Sequence, residues 1–120
     1  MFIELTRLFK FDASHRLPKV DWGHKCARLH GHTYRLEITV AGEVSEESGW
    51  LMDYAEIGKV LSPIVEVLDH AHLNDVPGLE NPTSENLACW VWNRLKPDLP
   101  LLAEVSVWES EMSRCRYRGE

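Results

Sequence analysis

The stretch Cys26-Ala27-Arg28-Leu29-His30-Gly31-His32 holds the residues best suited to chemistry. Histidines at i and i+2 point to one face if the segment is a strand. Tyr34, Leu36, Ile38 and Val40 continue their parity as an apolar stripe, while Thr33, Arg35, Glu37 and Thr39 fill the other. His30 and His32 therefore project into the covered side of a half-buried strand, where two neutral imidazoles make two corners of a metal site. Taken alone, the pair reads equally well as core histidines satisfied by backbone carbonyls beside a spare thiol. A third histidine decides for metal. Ile3, Leu5, Phe9, Phe11 and Ala13 share one parity of the N-terminal segment, broken only by Arg7, and the next residue on it is His15. If residues 2–15 pair antiparallel with 32–42, His15 at the end of one strand meets His30 and His32 at the start of the next. Three histidines and one open position describe a catalytic zinc site, whereas a structural site is closed by four protein ligands.

Other groups gather around this triad. Cys26 lies just outside the strand, flanked by Lys25 and Arg28, and cations beside a thiol favour the thiolate, which is the reactive form. Glu109 ends an apolar parity through Val105 and Val107, so it is aimed at the layer of the histidines. A carboxylate placed there needs a partner, and the guanidine-like edge of a pterin or guanine ring offers two donors; an exposed strand-end residue is the plainer reading. Asp69-His70 closes a helix. His70 is an acid/base candidate near neutral pH, although the helix dipole alone favours a histidine at that end. His24 and His72 lie in loops, outside any strand or helix pattern, and rank below the triad as ligands.

The elements that must position these groups are legible in outline. Residues 2–15 and 32–42 read as strands, joined by a loop over 16–29 long enough to be functional. Asp53 is a good N-cap for a helix with apolar positions Ile57, Val60, Leu61, Ile64, Val65 and Leu68, which Pro63 should bend or divide. Pro82-Thr83-Ser84-Glu85 starts a second helix, with Leu87, Trp90, Val91 and Leu95 on its apolar face. Residues 103–109 form a third strand and 114–118 a short fourth. The order β-β-α-α-β-β, with both helices on one face of a four-stranded antiparallel sheet, is an α+β layer. Such a sheet exposes two edges, which proteins usually pair or cover. Joining them between subunits into a closed barrel would give the polar strand face (Glu4, Thr6, Lys10, Asp12, Ser14) an interior to line.

Composition narrows the class. The chain has 120 residues, 44% of them hydrophobic, which suits a single domain over 1–120 with an ordinary core. No apolar run approaches a membrane span and no signal peptide opens the chain. Three cysteines, Cys26, Cys89 and Cys115, without a CxxC pair, fit a reducing, cytoplasmic setting. A net charge of -6 argues against nucleic-acid binding. Yet Arg16, Lys19, Lys25 and Arg28 face a single acid, Asp21, across residues 16–28. A basic loop beside a metal site suits an anionic small molecule; chance charges on a solvated loop would look the same. The five tryptophans read as core and interface residues.

Phe11-Asp12-Ala13-Ser14-His15-Arg16-Leu17, Gly23-His24-Lys25-Cys26, Leu29-His30-Gly31-His32, Asp53-Tyr54, Leu68-Asp69-His70, Leu73-Asn74-Asp75, Asn81-Pro82-Thr83-Ser84-Glu85 and Trp108-Glu109, in that order, resemble the 6-pyruvoyltetrahydropterin synthase superfamily. The likeness spans the chain and is nearest to the 6-carboxy-5,6,7,8-tetrahydropterin synthases of queuosine biosynthesis. It implies a tunnelling fold whose sheets assemble into a barrel, commonly a homohexamer built as a dimer of trimers. It implies Zn2+ on His15, His30 and His32, Cys26 as general base, and His70 in a relay with Asp69. Glu109 would anchor the pterin and, in some schemes, join the relay; Lys25, Arg28 and Thr83 would complete the substrate site, with Lys19, Lys25 or Arg28 receiving a triphosphate. The implied reaction is a carbon–carbon lyase step on 7,8-dihydroneopterin triphosphate, giving 6-carboxytetrahydropterin, acetaldehyde and triphosphate. A 6-pyruvoyltetrahydropterin synthase would use the same residues and stop before cleavage. A non-catalytic, zinc-stabilised binding module would instead close the metal site with four ligands and leave Cys26 inert.

Overall fold

The computed structural model describes residues 1–120. The elements are β1 (Phe2–His15), β2 (His30–Glu43), α1 (Tyr54–Leu68), β3 (Ala71–His72), α2 (Ser84–Leu95), β4 (Leu102–Ser110) and β5 (Ser113–Tyr117), with short 3-10 turns at Lys25–Ala27 and Leu73–Asp75. The sheet runs β3-β1-β2-β4-β5. Its four long strands are antiparallel, as the alternating patterns require. The sheet differs from the expected four strands in one respect. Ala71–His72 adds a two-residue fifth strand, parallel to β1 at Ala13 and Ser14. Two residues are too few to show a period, so the pattern could not reveal it; the His70 N–H, bonded to the Asp12 carbonyl at 2.6 Å, starts the pairing.

Burial follows parity. Tyr34, Leu36, Ile38 and Val40 of β2, with Val105 and Val107 of β4, face Ile57, Leu61 and Leu68 of α1 and Leu87, Val91 and Leu95 of α2 within one cluster of 22 buried residues. Both helices start on side-chain caps: Asp53 accepts from the Ala55 N–H and Thr83 from the Asn86 N–H, each satisfying an otherwise orphaned donor. Pro63 does not divide α1, which runs unbroken through it. Its ring lies on the exposed side, where water can take the carbonyl left free one turn earlier. Arg7, the break in the apolar parity of β1, is accommodated by α1: its guanidinium donates to the Tyr54 carbonyl at 2.9 Å. Gly58 makes the room, since a Cβ there would overlap that guanidinium. Trp90 belongs to the core, but Trp22 is 79% exposed and cannot be core.

The β1/β2 register carries the site. His15 pairs with His30, and Ala13 with His32. β2 begins at His30, two residues earlier than its apolar run suggests, so both histidines of the His-Gly-His motif are held by strand geometry.

Candidate active site

His15, at the end of β1, is fully buried. Its Nδ1 lies 2.9 Å from the Pro82 carbonyl, just ahead of α2. The Nδ1 of His30 lies 2.7 Å from the Arg28 carbonyl. A carbonyl only accepts, so each Nδ1 carries the proton and each Nε2 presents a lone pair. These two Nε2 atoms face each other at 3.0 Å. Two lone pairs so placed repel, and a cation shared between them removes the conflict. His32 Nε2 is buried without a hydrogen-bond partner; Glu109 Oε1 is 3.1 Å away, a charge contact not aligned as a hydrogen bond. Ligand atoms of His15, His30, His32 and Glu109 all lie within 4.8 Å of one another. A donor set of oriented imidazoles, with backbone carbonyls fixing the tautomers, is what a metal site requires, and these residues fit one.

The electrostatics agree. Burial holds His15 below the ordinary histidine range, outweighing the Pro82 carbonyl, and burial lowers His32 against the pull of Glu109. Both rings are therefore kept neutral, the form that binds a metal. Tyr34 packs beneath them, its hydroxyl 3.2 Å from His15 Nδ1. Burial pushes its phenol above the usual range, so it stays protonated.

A cleft of about 400 Å³ opens beside the histidines, lined by Lys25, Cys26, His30, His32, Glu109, Ser110 and Ser113. Cys26 reaches it from the 3-10 turn, where its N–H donates to His24 Nδ1 at 3.0 Å and its carbonyl accepts from the Leu17 N–H at 2.8 Å. That second bond ties the two ends of the 16–29 loop together. His24 is thereby the cap of this turn. Glu109 keeps one oxygen toward His32 and accepts from the Ser84 hydroxyl with the other at 2.7 Å. Ser84, Ser110, Ser113 and Tyr34 escaped sequence reasoning. Ser84 sits inside a helix-start motif that already accounts for it, and Ser110 and Ser113 flank a hairpin with no chemical signature.

Not every candidate comes to this cleft. Arg28 is exposed and meets the site through its carbonyl; Thr83 caps α2 with its hydroxyl; neither lines the cleft. His70 borders a separate depression with Asp12, His72 and one wall of His32. Its Nδ1 is 3.0 Å from Asp69 Oδ1, which also accepts from the Asp12 N–H at 3.0 Å. His70 holds φ at 59°, a left-handed conformation costly for a non-glycine residue. His72 Nδ1 is engaged with Ser14 Oγ at 3.1 Å. Cys26 and His70 thus line different cavities that meet only at His32.

Residues 4–120 match the family model described as 6-pyruvoyl tetrahydropterin synthase. The chain belongs to the 6-pyruvoyl tetrahydropterin synthase family. It is 41% identical over 115 residues to the 6-carboxy-5,6,7,8-tetrahydropterin synthase of Synechocystis, covering 91% of this chain and 88% of that one. It is 39% identical over 102 residues to the dihydroneopterin monophosphate aldolase of Pyrococcus furiosus, covering 82% of each. The 6-pyruvoyl tetrahydropterin synthase of Caenorhabditis elegans superposes with a TM-score of 0.91 at 29% identity, covering 100% of this chain and 97% of that one. The resemblance read in the sequence holds, and the chain is a lyase of this pterin-synthase family. No helix is long and apolar enough to cross a membrane.

Proposed function

We propose that the chain converts 7,8-dihydroneopterin triphosphate and one water to 6-carboxy-5,6,7,8-tetrahydropterin, acetaldehyde and triphosphate, as a zinc-dependent cytoplasmic step toward queuosine. The observation that carries this reading is the convergence of three imidazoles on one point beside Cys26 and Glu109, in a chain similar to a Synechocystis protein of that name. His15, His30 and His32 would hold the metal, which supplies Lewis acidity toward side-chain oxygens when bound. Glu109, braced by Ser84, would accept from the amine–amide edge of the ring and fix the side chain over the histidines, turning binding into orientation. Cys26 would take the proton from the carbon beside the developing carbonyl, which is weakly acidic until polarised. Lys25, on the rim, would meet the triphosphate. His70, oriented by Asp69, would move the proton on once assembly brings its cavity against the cleft.

The test is incubation with 7,8-dihydroneopterin triphosphate and assay of acetaldehyde. Stoichiometric acetaldehyde with 6-carboxytetrahydropterin supports the proposal. A 6-pyruvoyl product without acetaldehyde assigns the chain to the sister activity. No reaction in the zinc-loaded protein leaves the binding-module reading.

A further inference from the structure

The sheet face turned away from both helices carries a row of cations that form no ion pair. Lys10 of β1, Arg35 of β2, Trp108 of β4 and Arg114 of β5 are successive cross-strand partners. Such partners project to one face with Cβ atoms about 5 Å apart, and like charges set opposite one another there are destabilising. Trp108 stands between two of them, its ring centroid 4.3 Å from the Arg35 guanidinium and 5.0 Å from that of Arg114. Stacking fixes the planar groups in place but leaves their charge. The ion pairs of the chain include none of Lys10, Arg35 and Arg114, and Arg35 Nε is buried without a hydrogen-bond partner. Of the nearby acids, Glu37 accepts from Trp108 Nε1 and Asp12 from the Thr33 hydroxyl, while Glu111 lines the same cavity without forming an ion pair. Further along the same face Arg118 is paired with Glu104 at 2.9 Å.

Lys10, Thr33, Arg35, Trp108, Ser110 and Glu111 line a partly open cavity of about 110 Å³. That volume admits one tetrahedral oxyanion and excludes a pterin or a nucleotide. We propose that this cavity binds a small phosphate-class oxyanion, with Lys10 and Arg35 supplying charge and Ser110 supplying a hydroxyl donor. Trp108 preorganises the guanidinium, so little is lost in ordering it. The site lies on the reverse of the strands that carry His32 and Glu109 and meets the histidine cleft only at Ser110. It stands independently of the reaction assigned to that cleft. A free phosphate ion and the phosphate tail of a bound substrate offer the same chemistry.

Titration calorimetry with inorganic phosphate at constant ionic strength tests the proposal. One saturable site per chain is expected, and Arg35→Gln and Lys10→Gln should each weaken it roughly tenfold, the loss typical of a hydrogen bond to a charged group. Lys10→Gln does not touch the Trp108 stack, so its effect does not depend on the stack surviving. Absence of saturable heat, or affinity unchanged in both variants, overturns the site. So does a loss confined to Lys25→Gln, which would move the anion to the histidine cleft. Competition between phosphate and the pterin triphosphate assigns the cavity to the substrate's own tail; an unaltered KM assigns it to the free ion.

Discussion

In the proposed reaction Cys26 and the histidines would do different work, because they approach the same point from different backbones. The ligand atoms of His15, His30, His32 and Glu109 form one group, and the Cys26 thiol is not part of it. Cys26→Ala should therefore keep its zinc while turnover falls by roughly 10²–10⁴, the usual worth of a lost acid/base group. His30→Ala should lose most of the metal, because the remaining Nε2 of His15 then faces empty space. Metal content after dialysis, measured beside acetaldehyde release, separates the two variants. A Cys26→Ala protein without zinc would make the thiol a fourth ligand and would favour the binding-module reading. Full zinc retention in His30→Ala would remove the triad from the metal site.

At the scale of elements, Asp69 is one of the links that join the end of α1 to β1. Its carboxyl is held below the usual carboxylate range, chiefly by the Asp12 N–H and further by His70. A folded pKa below the unfolded one means that the unfolded chain binds more protons in acid. The contribution is complete above the ordinary aspartate value and is lost as pH falls through the folded one. Asp69→Asn should thus melt below the parent at pH 7, and the gap should narrow as the pH falls below the ordinary aspartate range. Thermal melts across that range check it; a gap that stays constant with pH would show that the carboxylate's charge is not what joins the elements. The same junction shows what sequence periodicity can and cannot carry. Long alternating runs specified β1, β2 and the register that brings His15 to His30, because a one-residue slip would turn every apolar side chain outward. The caps Asp53 and Thr83 marked both helices. β3 was silent, being two residues made by a backbone bond from His70. The Arg7 break had no local cause: its partners, the Tyr54 carbonyl and the space at Gly58, lie on another element. Ser84 likewise reaches Glu109 only because α2 packs beside β4.

The whole molecule is open for its mass. Its accessible surface is 7324 Å², against about 6,600 Å² for a compact monomer of this size. Its radius of gyration is 15.6 Å, against about 13.6 Å. The outer edges of β5 and of most of β1 carry unpaired backbone groups, so pairing between copies is the expected remedy. Assembly would also settle the one disagreement between chemistry and geometry. Cys26 and His70 line different cavities within the chain, yet a proton relay needs them in one. Apposing the His70 depression of one copy with the cleft of the next would build that relay from two chains. Complementation decides. Cys26→Ala and His70→Ala should each be nearly inactive alone. Dissociated, mixed in equal amounts and reassembled, they should recover activity, because about a quarter of the sites in a random mixture pair an intact Cys26 with an intact His70. Sites completed within one chain would recover none, since every copy lacks one of the two groups. A mixture that reassembled by sedimentation and stayed inactive would place the relay inside the single chain or remove His70 from it.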